Sequence, residues 1–390
     1  MALLIDKYRP TTIEQLDYNV ELAQRLKLMA LEGDFPHMLF YGPSGAGKKT
    51  RVMALLRAVF GPQVNKVVVE SRQLQKGTSS ATFEITILSS PHHIEVCPSD
   101  AGTADRYVVM ELIKEVAQSL PMHLGEAHKP TAPSRSTGQN EAKGLFKVVV
   151  VTGADLLSKP AQHALRRTME KYMSTCRLIL LCESTSKLIP PLLSRCMLIR
   201  NPSPSDSDVV KILQKVGNQE FQLTKYAGAQ AVPVELAQRI AGTAKGNLRK
   251  ALLMLDACRS IKGSIMSHGS LPTLDPSMRI PTPDWEIAVL EIADGIRAEQ
   301  SPKKILEIRK QLYELLVNCI PPDVILIRVA DNLFQHCDSS IKPQIAHWAA
   351  FYETRCQQGM KPVIHIEAFV TKAMEILKEF SISQAGTLRS

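Results

Sequence analysis

The chain has 390 residues, of which 45% are hydrophobic and 22% are charged, and its formal net charge at pH 7 is +9. This length allows two or three globular domains, and the positive charge makes an anionic partner plausible without identifying it. The sequence contains no apolar run of the ~18 residues that a membrane helix needs and no C-x-x-C pair among its eight cysteines, so we expect no membrane span, zinc site or disulfide framework.

The first 35 residues open with Asp6-Lys7-Tyr8-Arg9-Pro10 and continue into a helical pattern through Leu22, Leu26 and Met29. Residues 38–41 then form a short apolar run that predicts a strand. A glycine-rich stretch and a second helical pattern follow. The stretch reads Gly42, Pro43, Ser44, Gly45, Ala46, Gly47, Lys48, Lys49 and Thr50.

A strand, a glycine-rich turn and a helix in this order predict a phosphate-binding loop. The glycines allow backbone N–H groups to converge on an anion, the helix N-terminus adds partial positive charge, and Lys48 reaches the terminal phosphates. The usual pattern places Ser or Thr directly after the lysine, as a magnesium ligand. Here that position holds Lys49, and Thr50 comes one step later. The alternative is an ordinary turn before a surface helix.

Residues 64–96 contain patches of β-branched residues separated by a polar stretch, which predicts strands joined by a hairpin turn or a loop. Ser99-Asp100 begins a predicted helix, and residues 121–144 have the composition of a mobile surface loop. The apolar runs at 148–151, 178–181 and 198–199 predict strands buried on both faces, and a helix is expected over about 159–172. Strands alternating with helices predict a doubly wound, parallel α/β domain over residues 1–202.

The remaining chain has helical periodicity. Residues 203–262 predict a small helical domain, residues 263–283 a linker rich in Ser, Pro and Gly, and residues 284–390 a second helical domain.

Five motifs in order carry a family resemblance. They are the opening at 6–10, the glycine-rich stretch at 42–50, the run Ala164-Leu165-Arg166-Arg167-Thr168-Met169-Glu170-Lys171, the triplet Ser194-Arg195-Cys196 and the run Gly246-Asn247-Leu248-Arg249-Lys250. All of them resemble motifs of the replication factor C small subunits, which are AAA+ clamp-loader proteins. Among these subunits the Lys-Lys-Thr loop ending most resembles the member at the end of the spiral. The resemblance implies an AAA+ P-loop domain, a helical lid over 203–262 and a helical collar that mediates oligomerisation over 284–390.

Compared with the family pattern, the features that support hydrolysis have changed together. The family's Asp-Glu after the 148–151 strand reads Thr152-Gly153, and only Asp155 remains of the acidic motif. The family's polar sensor, usually Asn, aligns with Glu183, which either repels a γ-phosphate or lies solvated at a strand end. Phosphoryl transfer needs a metal and a positioned water, and losing the water-positioning group alone costs roughly 3–5 kcal/mol of barrier. We therefore expect ATP or ADP to bind, with weak or absent magnesium coordination, and not to be hydrolysed.

The resemblance also assigns roles to other residues. Arg195 corresponds to the arginine that projects into a neighbouring subunit's ATP, where such cations contribute of order 10³–10⁵ in rate. Arg249 corresponds to the lid sensor of the chain's own nucleotide, and Tyr8, Arg9 and Pro10 to the adenine pocket. Each arginine has the simpler alternative of a solvated surface charge.

The family implies partners as well: the other replication factor C subunits, the sliding clamp PCNA near residues 71–95 and the helix that follows them, and primer–template DNA held through its phosphates, in the nucleus. The DNA candidates lie on two predicted helices and are Arg106, Lys114, Lys159 and Arg166. Two other interpretations remain open. The chain could be a hydrolysing AAA+ ATPase that uses Asp155 or Glu183 unconventionally, or an AAA+ scaffold without a DNA role.

Overall fold

A computed structural model describes residues 3–75, 82–118, 146–173, 175–220, 232–263, 274–359 and 361–387. The loop expected at 121–144 and much of the linker expected at 263–283 lie outside these residues. The chain divides into two compact units, Met1–Ile280 and Pro281–Ser390. The division lies close to the end of the expected linker.

The first unit is built on a seven-stranded sheet with the order β2-β3-β4-β5-β6-β1-β7. Strands β4, β5, β6, β1 and β7 are parallel, as expected, whereas β2 and β3 form an antiparallel hairpin at the β4 edge. The strands are β1 Met38–Tyr41, β2 Val68–Gln75, β3 Thr82–Ser89, β4 His93–Val96, β5 Lys147–Val151, β6 Cys176–Cys182 and β7 Met197–Arg200.

Helices cover the sheet and continue into a helical subdomain. Those of the sheet domain are α1 Leu4–Lys7, α2 Val20–Glu32, α3 Lys48–Phe60, α4 Asp105–Gln118, α5 Lys159–Lys171 and α6 Pro190–Leu193. Short 3₁₀ helices occur at Ile13–Gln15, Pro62–Asn65, Pro98–Ala104 and Ala154–Leu156. The subdomain contains α7 Asp206–Glu220, α8 Val234–Ala244 and α9 Leu248–Gly263.

The position of β5 between two layers of helices explains why its sequence is continuously apolar. Val149 and Val151 belong to the core cluster formed with α4 and α5, and Val148 and Val150 belong to the opposite cluster formed with α2 and α3. Both faces of the strand are therefore buried, as predicted for a parallel strand between two helical layers. This arrangement brings the carboxyl ends of β1, β5, β6 and β7 to one edge of the sheet.

The second unit is an all-helical bundle. Its helices are α10 Asp284–Ala298, α11 Pro302–Val317, α12 Pro322–His336, α13 Lys342–Gln358 and α14 Pro362–Thr387. Ile292, Leu312, Leu326 and Phe369 are fully buried in its core, one each from α10, α11, α12 and α14. None of the helices in the described part of the chain is both long and apolar enough to cross a membrane.

His93, at the start of β4, gives the sheet domain a pH-dependent stability. Its side chain is buried, with Nδ1 2.6 Å from the Ser90 hydroxyl oxygen, while Nε2 has no hydrogen-bond partner. Burial, helped by the nearby charges of His92 and Lys49, lowers the pKa of His93 from 6.5 to about 4. Because the unfolded chain binds this proton more readily than the folded chain, stability falls as the pH drops from about 6.5 towards 4.

We expect His93→Gln to reduce the loss of unfolding free energy between pH 7 and pH 5 by about 2 kcal/mol relative to the unaltered chain. Chemical denaturation of both proteins at the two pH values measures the difference, and contributions of the other histidines cancel because both chains share them. Parallel pH dependence in the two proteins would contradict the assignment.

Candidate nucleotide site

The glycine-rich loop joins β1 to α3 at the carboxyl edge of the sheet. Gly42, Gly45 and Gly47 have φ angles of 153°, 75° and 69°, a region that other residues rarely adopt. Lys48 is the first residue of α3, so the loop ends directly at a helix N-terminus. The local geometry is that of an anion-binding loop.

Lys48 is folded back onto this loop. Its ammonium donates to the carbonyl oxygens of Gly42 at 2.6 Å and Pro43 at 3.1 Å. These are bonds that a phosphate oxygen can replace, since an ammonium group has three donors and no fixed geometry.

The electrostatic surroundings of Lys48 contain both signs of charge. Burial lowers the pKa of Lys48, the nearby Glu183, Cys182 and Asp155 oppose that effect, and Arg249 adds to it. Arg249, in the first turn of α9, is exposed and yet close enough to act on Lys48. The structure thus brings the carboxylates of Asp155 and Glu183 and the candidate lid arginine close enough to the loop lysine to affect its charge.

Lys49 occupies the position where the usual loop has a magnesium-binding hydroxyl, and it is already paired. Its ammonium forms a short ion pair with the carboxylate of Glu95 on β4, whose side chain is 10% exposed. The next hydroxyl, that of Thr50, accepts a hydrogen bond from Arg9 Nε at 3.2 Å. Lys49 and Glu95 are 46 residues apart in the sequence, so the sequence analysis did not identify Glu95.

The carboxyl end of β5 offers no carboxylate at the two family positions. Thr152 donates its hydroxyl to the Val96 carbonyl oxygen at 3.3 Å, and Gly153, with a φ of 65°, has no side chain. Asp155 accepts a hydrogen bond from the backbone N–H of Glu183 at 3.2 Å.

These residues do not fit the magnesium ion that the fold family implies. A hard divalent cation prefers carboxylate and hydroxyl oxygens, but the ammonium of Lys49 takes the hydroxyl position and the first acidic position is a threonine that bonds to backbone. Among the described residues, no cluster of three His, Cys, Asp or Glu side chains is placed to hold a metal.

Two side chains that lie outside the sequence motifs hold the backbone of the loop. Tyr18, through its hydroxyl, and Asn201, through its amide, both donate short hydrogen bonds to the carbonyl oxygen of Ala46. Arg51, fully buried one turn into α3, donates to the Tyr18 carbonyl oxygen at 2.6 Å and lies over its ring. The loop conformation therefore depends on residues from α3, the β7 end and the segment before α2.

The helical subdomain also reaches the loop. A Cβ built on Gly45 would lie 1.8 Å from Oδ1 of Asn247, so the Asn247 side chain packs directly on Gly45. The same Oδ1 accepts from the Lys250 N–H at 3.0 Å and so caps the start of α9. One asparagine thus connects the subdomain helix to the candidate phosphate loop.

The opening segment at 6–10 is bonded to the helical subdomain of α7–α9. The Tyr8 hydroxyl donates to Glu220 of α7 at 2.6 Å, and the Lys7 ammonium pairs with the same carboxylate at 2.5 Å. Arg9 contacts Thr50, as described above, and Pro10 ends the segment. Tyr8 therefore contacts the subdomain, whereas Arg9 contacts the first turn of α3.

Arg195 lies in the turn between α6 and β7. Its NH1 donates to the Pro191 carbonyl oxygen at 2.8 Å, and its NH2 is 2.5 Å from Oε1 of Glu170. Its side chain is 32% exposed. Arg195 is therefore a partly exposed guanidinium held at defined contacts, and its partner Glu170 belongs to the 164–171 motif, which by itself does not indicate this pairing.

The four basic candidates lie on two adjacent helices, α4 and α5, which pack against each other. The buried Asp105 helps to join them: its carboxylate accepts from the Ser158 N–H at 2.7 Å and from the Ser158 hydroxyl at 2.9 Å. Ser158 is the N-cap of α5. Arg106 and Lys114 on α4 and Lys159 on α5 are exposed, whereas Arg166 is half-buried and bonds to Glu170.

Comparisons with known proteins agree on one group of relatives. The model of the replication factor C subunit 3 C-terminal domain matches residues 285–381, and that of the RCF1/5-like AAA+ ATPase lid domain matches residues 211–260. Replication factor C subunit 3 of Mus musculus is 44% identical over 97% of both chains. Replication factor C subunit 5 of Oryza sativa subsp. japonica is 43% identical over 98% of this chain and 100% of its own.

Among solved structures, the RuvB Holliday junction branch migration motor of Thermotoga maritima is 12% identical, with a TM-score of 0.45 over 78% of this chain and 85% of its own. The sequence relatives extend over nearly the whole chain, and the lid-domain match falls on α7–α9.

Proposed function

The chain belongs to the replication factor C subunit 3/5 family, and on that basis we propose that it is a subunit of a heteropentameric clamp loader that loads the PCNA ring onto primer–template DNA in the nucleus. The AAA+ fold expected from the sequence is confirmed by the parallel sheet with its phosphate loop and by the match to the AAA+ lid domain. The helices expected to form the collar match the family's C-terminal domain over residues 285–381.

The chain's own site binds ATP or ADP and does not hydrolyse it. The observation that carries this conclusion is the ion pair between Lys49 and Glu95 at the place of the magnesium hydroxyl, beside a strand end that offers Thr152 and Gly153 where the family has carboxylates. The glycine loop, Lys48 and the nearby Arg249 supply what a polyphosphate needs for binding: N–H donors and cations. The groups that would activate water are missing from those positions.

The position of Arg195 supports its role as a cation at the ATP site of a neighbouring subunit. Its guanidinium is held by its own chain and remains partly exposed, as a cation offered across a subunit interface must be. In this arrangement the chain lends a transition-state cation to the next subunit while its own site keeps nucleotide as a structural ligand.

DNA binding uses the basic side chains of α4 and α5. Arg106, Lys114 and Lys159 are exposed on this pair of helices, where they can contact phosphates without reading base sequence. The link through Asp105 and Ser158 keeps the two helices in fixed register, so their cations act as one surface.

Lys48→Ala tests the proposal that the site binds without hydrolysing. In the assembled complex we expect the steady-state ATPase rate to remain nearly unchanged and the amount of retained nucleotide to fall by one equivalent, because Lys48 holds phosphates at a site that does not turn over. Filter-based nucleotide retention and phosphate release measure the two quantities.

The matched control is the equivalent lysine substitution in the phosphate loop of the neighbouring subunit, which should reduce the ATPase rate. If Lys48→Ala removed a full site's share of turnover from a normally assembled complex, the chain would instead be a hydrolysing ATPase that uses Asp155 or Glu183.

A further inference from the structure

We infer that Glu170 is the positioning residue for Arg195: its carboxylate, at the end of α5, holds the guanidinium in the pose in which Arg195 is offered to the neighbouring subunit. The inference rests on the proposed role of Arg195 and assigns to Glu170 a role that acts only through Arg195.

The contacts of Arg195 within its own chain define that pose. NH1 donates to the Pro191 carbonyl oxygen at 2.8 Å and lies 3.4 Å from the Ser194 hydroxyl, and NH2 lies 2.5 Å from Oε1 of Glu170. The backbone carbonyl, in α6, and the hydroxyl, in the turn that follows it, both lie within four residues of Arg195 in the sequence. Glu170 is the contact that comes from another element, so it fixes the guanidinium relative to the body of the domain.

These contacts use only part of the guanidinium. Its five N–H donors form a planar fork, and the bonds to Pro191, Ser194 and Glu170 involve only NH1 and NH2. Donors remain for a phosphate oxygen while the side chain stays anchored. Arginine suits this role better than lysine because its fork can bridge two acceptors at once.

The location of Glu170 is unfavourable for a carboxylate unless cations compensate it. It lies in the last turn of α5, where the helix dipole disfavours negative charge. Two guanidinium groups share its Oε1: Arg166, one turn earlier, at 3.3 Å and Arg195 at 2.5 Å. The hydrogen bond from Arg166, together with the charge and hydrogen bond of Arg195, lowers the pKa of Glu170.

We expect the loss of the Glu170 carboxylate to change the position of the Arg195 guanidinium and not the stability of the fold. The Glu170 side chain is 46% exposed, and ion pairs with such exposure contribute little to folding. A misplacement of a catalytic cation by about 1 Å, in contrast, can lower a rate by about a hundredfold. The sharing of one oxygen also connects Arg195 to the basic side chain of Arg166 on the proposed DNA-binding helix.

The test uses the assembled complex with the phosphate-loop lysines of the other active sites replaced. Only the site that receives Arg195 can then hydrolyse ATP. We expect Glu170→Ala to lower kcat at that site about tenfold with little change in KM, because substrate still binds while the cation is poorly placed. Glu170→Gln, which keeps an acceptor oxygen without the charge, should give an intermediate rate. The thermal unfolding midpoint should not move.

Glu14→Ala is the control, since Glu14 also forms an ion pair, with Lys27 at 2.6 Å, in the same unit. It should leave kcat unchanged. In the background of Arg195→Ala, adding Glu170→Ala should cause no further loss, because a positioning residue acts only through the residue that it positions.

The outcomes separate the inference from the proposed function. If Arg195→Ala itself leaves the neighbouring site unaffected, the proposed role of Arg195 fails. If Arg195→Ala lowers kcat and Glu170→Ala does not, or if the two losses multiply in the double variant, only the inference about Glu170 is overturned. A faster rate with Glu170→Ala would also overturn it, since Glu170 would then withhold Arg195.

Discussion

Replacing Arg195 by alanine should lower ATP turnover at the neighbouring site by about a thousandfold or more, the range that arginine fingers contribute to phosphoryl transfer. The physical reason is that charge develops on the γ-phosphoryl oxygens in the transition state, and a desolvated guanidinium stabilises it there more than in the ground state. We therefore expect the loss in kcat, with KM nearly constant.

The measurement needs a complex in which the other active sites are disabled, so that phosphate release reports the neighbouring site alone. Arg195→Lys should recover only part of the rate, because an ammonium keeps the charge without the planar fork. Arg200→Ala is the control: Arg200 is also exposed, lies five residues further along at the end of β7 and carries the same charge. An unchanged single-site rate with Arg195→Ala would end the proposal that this chain activates its neighbour.

The second large effect is expected at Gly42. A Cβ built there would lie 2.0 Å from the backbone carbonyl oxygen of Asn201, far inside contact distance, and the φ angle of 153° is also unfavourable for alanine. Asn201 cannot easily move, because its N–H donates to the Tyr41 carbonyl oxygen at 2.7 Å and its amide holds Ala46. Relief of the overlap must therefore distort the phosphate loop or its support.

We expect Gly42→Ala to destabilise the chain by about 3 kcal/mol or more and to abolish nucleotide retention. Thermal unfolding and nucleotide retention of the assembled complex measure both effects. Gly242→Ala is the matched control: Gly242 lies in α8, and a Cβ there meets nothing within 4 Å. That substitution should stabilise the chain by about 0.5–1 kcal/mol, because alanine favours helix more than glycine does. Equal midpoints for the two variants would contradict the steric argument.

The two predictions concern two different nucleotide sites, that of this chain and that of the neighbouring subunit. Gly42 belongs to a site that keeps its means of binding a polyphosphate, and Arg195 belongs to a surface that serves another subunit's chemistry. In the proposed function, Gly42→Ala should affect the chain's own nucleotide and Arg195→Ala should affect the neighbour's turnover. Measuring retention and turnover in both variants tests this separation.

The sequence by itself determined the local elements and the family. The glycine-rich stretch between an apolar run and a helical pattern identified the phosphate loop, because such a loop is specified by consecutive residues. The four valines of β5 indicated a strand buried on both faces, and the five ordered motifs identified the replication factor C family, which the relatives confirm. The substitutions at Lys49, Thr152 and Gly153 were visible without coordinates.

Only the tertiary structure decided what those side chains contact. It paired Lys49 with Glu95, placed Asn247 on Gly45 and joined Arg195 to Glu170, and none of these pairs is adjacent in sequence. Hydrophobic periodicity fixes which face of a helix or strand is buried, but the partner of a charged or polar side chain depends on which elements the sheet order brings together. In this chain that order places the carboxyl ends of β1, β4, β5 and β6 at the same edge of the sheet, so Lys49 of α3, which replaces the magnesium hydroxyl, meets the carboxylate of Glu95 from β4.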